Sequence, residues 1–210
     1  MTTALWDRWH TGRDIATRPT TQRLFVSDVL ACLDPVAGKH VLELACGQGG
    51  DAVHFARHGA RVTASDLSAV AVAKARVRAA SAGVDVAFHV RDMRDGPPVD
   101  QPVDAVISYL GLHYFPPAET AALFAAIDAI LLPGGLLAFA VKSTSDPLFG
   151  DGEKVDDHVF VRKGKLRHFF SVGHVETLLP GWALNVTEHT DNYQTLARPA
   201  VHLHVLATKP

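Results

Sequence analysis

Short aliphatic and β-branched runs alternate with longer alanine-rich stretches along most of the chain, the rhythm of strand–helix–strand units on a parallel sheet. Val41–Ala45 is an apolar run that ends in glycines. Ala52–His58 follows with helical composition, with Asp51 as its expected N-cap and Gly59 as its stop. Arg61–Ser65 predicts a second strand, and Ser68 is placed to cap a long helix over Ala69–Ala82 that Gly83 ends. Val86–Val90 and Val103–Ser108 read as the third and fourth strands. Pro116 and Pro117 open a helix over Ala118–Leu132, and Pro133-Gly134-Gly135 breaks it before a fifth strand, Leu136–Lys142.

Beyond Lys142 the rhythm changes. The stretch from Ser143 to His168 is polar and turn-rich, and inside it His158–Val161 and Leu166–Phe169 flank Arg-Lys-Gly-Lys, a hairpin signal. Ser171–Leu179 predicts a helix, and Trp182–Glu188 and Val201–Ala207 two further strands that close the sheet. Before the first strand, Leu5–His10 and Thr21–Leu33 predict two helices.

A chain of 210 residues suffices for one domain with a sizeable core, and 1–210 is read as one. The formal charge of −2 supplies no general basic field to collect phosphates, which argues against nucleic acid as a partner. Two cysteines, Cys32 and Cys46, are too few for a disulfide framework. The amino terminus carries no apolar signal core, and no stretch reaches the length of a membrane helix. The expectation is a soluble, cytoplasmic protein without a membrane partner.

Chemistry concentrates in Val41-Leu-Glu-Leu-Ala-Cys-Gly-Gln-Gly-Gly-Asp-Ala52, where a strand runs through Gly47 and Gly49 straight into a helix. Glycines there let the backbone pass close to a ligand. Taken alone the loop also satisfies the dinucleotide fingerprint G-x-G-x-x-G/A, with Asp66 at the distance expected for a ribose-binding acid. Charge separates the readings. A pyrophosphate over this turn would stand near Glu43 and be repelled, whereas S-adenosylmethionine carries no phosphate and presents cationic sulfonium and ammonium groups. Asp66 ends the second strand and Asp92 follows the third, so acids at three successive strand tips line one crevice, where open α/β sheets bind ligands.

These segments, together with Val-Thr-Ala-Ser-Asp-Leu-Ser, Arg-Asp-Met and Leu-Leu-Pro-Gly-Gly-Leu-Leu-Ala-Phe, resemble the class I S-adenosylmethionine-dependent methyltransferases, and among them the small tellurite-resistance and thiopurine types. The resemblance implies a Rossmann-like, doubly wound α/β fold: a seven-stranded, mostly parallel sheet with its last strand antiparallel and helices on both faces. It implies S-adenosylmethionine as cofactor and methyl transfer by direct displacement to a small-molecule acceptor. Glu43 with Ala45, Gly47 and Gly49 would hold the methionine end, Asp66 the ribose hydroxyls and Asp92 with Met93 the adenine. Trp6, Leu67 and Ser108 join them as cofactor contacts. The family's first loop glycine is replaced by Ala45, which is expected to keep a negative φ and rearrange the turn slightly.

Methyl transfer asks the protein to align a nucleophile with the methyl and exclude water, so no catalytic motif is obligatory. The wall expected beside the methyl is Ser108-Tyr-Leu-Gly-Leu-His-Tyr-Phe-Pro-Pro, with Tyr109, His113 and Tyr114 as acceptor contacts and His113 as a candidate general base. The segment is not the Asp/Asn-Pro-Pro-Tyr/Phe of DNA amino-methyltransferases. A second wall is the insert over 143–170, where Arg167 and His168 are candidate acceptor contacts; strand alternation sends them to opposite faces. Residues 1–36 are read as a helical lid, with Trp6 and Trp9 on one helical face. His54/His58 and His202/His204 lack a third ligand at recognisable spacing, so no metal is expected. Two rival readings stay open: a nicotinamide-dependent oxidoreductase on the same loop, and a protein that binds S-adenosylmethionine without chemistry.

Overall fold

The computed structural model describes residues 2–14, 20–191 and 199–210. Residues 15–19, inside the expected lid, lie outside that set. The central sheet has seven strands: β1 (His40–Leu44), β2 (Arg61–Asp66), β3 (Ala87–Val90), β4 (Val103–Tyr109), β5 (Leu131–Lys142), β9 (Ala183–Asp191) and β10 (Ala200–Thr208). Their order is β3-β2-β1-β4-β5-β10-β9. All pairings from β3 to β5 are parallel, and β10 runs antiparallel to both neighbours, as the family resemblance implies.

Alternation along each strand feeds two separate cores. On one face Val41, Val62, Ala64, Ala105 and Ile107 pack under α2 (Thr20–Cys32), α3 (Gly50–Arg57) and α4 (Ala69–Ala82), which contribute Phe25, Val29, Phe55 and Val72. On the other, Leu42, Leu44, Val106, Phe139 and Val205 meet Phe124 and Ile127 of α5 (Pro117–Ile130) and Val175 of α6 (Val172–Leu178). Each of these strands is therefore buried on both sides, which is why the sequence reads there as apolar runs rather than clean alternation.

Where the local chemistry is unambiguous, sequence and structure agree closely. Ser68 caps α4 by accepting the Ala71 N–H at 3.1 Å, and Gly83 ends it at φ 65°. Lys163 and Gly164, both at positive φ, make the two-residue turn between β7 (Val159–Arg162) and β8 (Lys165–His168). Three differences have physical causes. The cap of α3 is Gly49 in the left-handed region, and Asp51 lies inside the first turn. β5 begins at Leu131, opposite Val103, and the Pro-Gly-Gly sits within it where the register shifts against β4. A further strand, β6 (Glu153–Asp156), completes a three-stranded meander with β7 and β8. All four of its residues are exposed, so no apolar alternation marked it. The meander returns to the sheet through Phe170, whose N–H reaches the Lys142 carbonyl at 2.8 Å.

Candidate active site

The carboxyl ends of β1, β2 and β4 open into a cavity of about 1700 Å³, larger than the roughly 300–1,000 Å³ of a typical small-ligand pocket. Glu43, Ala45, Gly47, Asp66 and Leu67 line it from β1, the glycine turn and β2. Asp92 and Met93 enter after β3, Tyr109 and Tyr114 after β4, and Trp6 from α1 (Thr3–Thr11). Parallel strands point their carboxyl ends to one edge, so acids far apart in sequence converge.

The turn after β1 is held from within. Asp66 accepts the Gly47 N–H at 2.8 Å and the Ser68 N–H at 2.9 Å. The Cys46 N–H goes to the Ser65 carbonyl and the Gly49 N–H to the Cys46 carbonyl, both at 2.9 Å. Burial pushes the Asp66 carboxyl up, opposed by its two backbone donors and by His10. Asp92 is the reverse case. Its side-chain hydrogen bond from Arg94, at 2.6 Å for the closest contact, holds its carboxyl below the usual range.

Ala45 corrects an expectation. Its φ is +56°, the left-handed conformation of the glycine it replaces, and the turn is not rearranged into negative φ. That conformation costs an L-residue roughly 1–2 kcal/mol. The methyl is accommodated because Gly111 faces it: a Cβ on Gly111 would lie 2.5 Å from the Ala45 Cβ.

Five other expected contacts do not line the cavity. Gly49 packs against the core instead, where a Cβ would stand 2.8 Å from Ala75 and 3.0 Å from the Phe88 ring. Ser108 is fully buried beneath Gly111. His113 is 1% exposed, because the 3-10 turn Leu112–Tyr114 sends it inward against the Tyr114 ring. Burial, reinforced by Lys142, His202, Arg167 and His168, holds its pKa well below the ordinary imidazole value, which keeps the ring neutral at pH 7 but makes it a weak proton acceptor. His168 is buried on Phe170 and His174, and Lys165 and Leu166 are the residues of β8 that reach the cavity in place of Arg167 and His168.

Other groups were not foreseen. His10 and Gln48 close the cavity beside the glycine turn, and Thr21, His189 and Asp191 line it from α2 and β9. They come from remote segments with no spacing pattern to betray them; Gln48 alone, inside the glycine motif, had a local signal. α1 itself is pinned over the site. Asp7 accepts the Ser68 hydroxyl at 2.6 Å, and Lys74 Nζ donates to the His10 and Arg13 carbonyls, each at 2.7 Å. Trp6 stands edge-on to Tyr114 at 4.9 Å, with Lys165 Nζ 5.1 Å from its centroid. Among the described residues no group of three or more His, Cys, Asp or Glu side chains could hold a metal ion. No helix among them is long and apolar enough to cross a membrane.

Residues 41–135 match a family model described as a methyltransferase domain. The chain is 33% identical over 113 residues to the ubiquinone biosynthesis O-methyltransferase of Alkalilimnicola ehrlichii, a stretch covering 53% of this chain and 45% of that protein. The chain spans about half the length of the curated relatives it matches. In structure it is similar to the N-methyltransferase NodS from Bradyrhizobium japonicum, in complex with S-adenosyl-L-homocysteine (TM-score 0.74, 16% identity, 99% of this chain and 98% of that one). It is also similar to TehB from Haemophilus influenzae (TM-score 0.70, 14% identity, 88% of this chain and 62% of that one). At these identities the structural likeness is one of fold. A methyltransferase-domain match over residues 41–135, curated relatives named as methyltransferases and a shared fold are thus what this chain is similar to, and its sheet order and acidic strand tips around the glycine turn accord with that likeness.

Proposed function

We propose that this protein binds S-adenosylmethionine in the cavity at the carboxyl edge of the sheet and transfers its methyl group to a small-molecule acceptor. The observation that carries the reading is the Gly47 N–H. In a dinucleotide site the loop amides face a pyrophosphate; here that amide is given to Asp66, whose carboxylate would repel the phosphates, and buried Glu43 adds to the repulsion. The same arrangement suits a phosphate-free cation.

The bound cofactor supplies a methyl carbon already activated by a positive sulfur. The chain's residues bind, orient and enclose. Glu43 and the Ala45–Gly47 turn would face the cationic amino-acid end, Asp66 and Leu67 the ribose, and Asp92 with Met93 the base. Trp6 and Tyr114 would cover the methyl position and exclude water, with α1 as the lid that Asp7 and Lys74 hold shut. The cavity leaves room for an acceptor between the lid, β8 and the end of β4. The thiols of Cys32 and Cys46 are free, which fits a reducing compartment, and we assign the protein to the cytoplasm.

Calorimetry with S-adenosylhomocysteine and with NAD tests the reading. Saturable binding of the first and none of the second is expected, and the reverse refutes it. Binding without label transfer from a methyl-labelled donor to any component of a metabolite extract would favour a non-catalytic binding protein.

A further inference from the structure

We propose that the methyl acceptor carries a carboxylate, and that Lys165 binds it on the apolar wall that Trp6, Leu166, Tyr114 and Phe115 contribute to the cavity. The inference deepens the methyltransferase reading above and rests on it.

Lys165 opens β8, directly after the Lys163-Gly164 turn, and lines the cavity half-buried. Its Nζ stands 5.1 Å from the centroid of the Trp6 ring, which meets the Tyr114 ring edge-on at 4.9 Å. An indole face attracts an ammonium without taking up its three N–H donors. Among the described residues Lys165 donates no hydrogen bond and enters no ion pair.

The chain holds no acid to complete it. Asp92 and Glu119, which line the cavity after β3 and in the first turn of α5, are both engaged by Arg94, at 2.6 Å and 3.7 Å. Residues 1, 15–19 and 192–198, outside the described set, include no aspartate or glutamate. The charged neighbours that act on Lys165 are cations. Burial lowers its pKa first, then Arg167 and Arg13 in the same direction, and among the described residues no carboxylate opposes them. Arg13 also lines the cavity and lies 4.7 Å from the centroid of Trp9, so the two neighbouring indoles of α1 each carry a cation. Like charges gathered in this way are costly until an anion enters.

The cavity therefore has two poles of opposite sign. Carboxylates surround the glycine turn, and cations meet where α1 faces β8. A sulfonium suits the first pole and a carboxylate the second, so the charges of the two ligands attract across the space between them. One ammonium within reach suits a monoanion, and the aromatic and aliphatic wall beside it suits a flat apolar body. An arylcarboxylate has both. An acceptor bearing an ammonium would add one more like charge and is selected against.

The test compares benzoate, its neutral isostere benzamide, and benzylammonium by ligand-observed NMR in the presence of saturating S-adenosylhomocysteine. Wild-type protein should bind benzoate about tenfold or more tightly than benzamide, the fold-change of one charge-assisted hydrogen bond, and benzylammonium least. Lys165→Met keeps an apolar side chain against Trp6 and removes the charge, and should bring the benzoate-to-benzamide ratio close to one. Lys165→Arg should retain the preference, which separates charge from packing. Both variants should melt as the wild type does and bind S-adenosylhomocysteine with unchanged affinity. A Lys165→Met protein that folds but binds it tenfold more weakly would give the lysine to the cofactor's own carboxylate and overturn the inference. So would benzoate that binds no better than benzamide or not at all, a ratio that survives Lys165→Met, or benzylammonium as the tightest ligand; in each case the cofactor still binds and the parent reading stands. A wild-type protein that does not bind S-adenosylhomocysteine overturns the parent reading, and this one with it.

Discussion

Acidification should destabilise this protein before most of its carboxylates titrate. His168, His202 and His204 are 2%, 2% and 3% exposed. Burial is the main cause that lowers their pKa values to about 4, about 4 and about 3; His174 adds to the effect at His168, Lys142 at His202 and His189 at His204. In the unfolded chain each titrates near 6.5. The folded values are depressed, so the unfolded state binds more protons between these limits. Stability is complete above about pH 6.5 and is lost as pH falls toward 4. At pH 5 each histidine costs about 2 kcal/mol, and the three together about 6 kcal/mol, against a total of roughly 5–15 kcal/mol for a domain. Urea unfolding followed by circular dichroism at pH 7.5, 6.5, 5.5 and 5.0 reads this directly. His204→Phe fills the space between Phe25, Tyr109 and His189 without a titrating ring, and should remove about a third of the slope. Equal unfolding free energies at pH 7.5 and 5.0, within about 1 kcal/mol, would refute the argument.

Two further perturbations bear on the site. Gly111→Ala places a Cβ 2.5 Å from the Ala45 Cβ and 2.7 Å from Ser108 Oγ, an overpacking that should cost about 1–3 kcal/mol. Ala45→Gly, which also relieves the left-handed strain, should recover part of that loss in the double variant, and thermal melts of the four proteins measure the coupling. Asp66→Ala should weaken S-adenosylhomocysteine binding by about tenfold or more, with a stability loss of about 1–3 kcal/mol from the Gly47 and Ser68 amides left without their acceptor. Calorimetry showing unchanged affinity would remove Asp66 from the site.

What the sequence disclosed and what it hid divide along the range of the interaction. Both ends of α4 were legible because a serine cap and a left-handed glycine act within four residues. Glu43, Asp66 and Asp92 were legible because consecutive parallel strands must end at one edge, so strand tips converge without any need to know packing. The hairpin insert was placed, but β6 was not, since its exposed residues pair with β7 through backbone alone. Thr21 and Asp191 stand 170 residues apart in sequence, and nothing in either local pattern announces that α2 crosses the end of β9. Ala45 failed for a different reason. The expected negative φ followed from the intrinsic cost of the left-handed region, and the compensating void came from Gly111 on another loop.

The field inside the glycine turn has an internal reporter. Cys46 sits in that turn, 7% exposed, and its thiol is pushed well above its ordinary pKa. Burial is the largest cause, but Glu43, Asp66 and Asp51 all act in the same direction, and only a backbone hydrogen bond opposes them. A thiol that resists becoming an anion is no nucleophile, which removes Cys46 from the chemistry. Beyond the effect of burial, the contributions of Glu43, Asp66 and Asp51 give a negative potential at the place where the proposed ligand's charged end would rest. The part of that shift due to the three carboxylates reflects a potential that would disfavour a phosphate by the same physics and favour an ammonium or sulfonium, so one cluster of acids both adds to the inertness of the buried cysteine and supports the proposed cofactor.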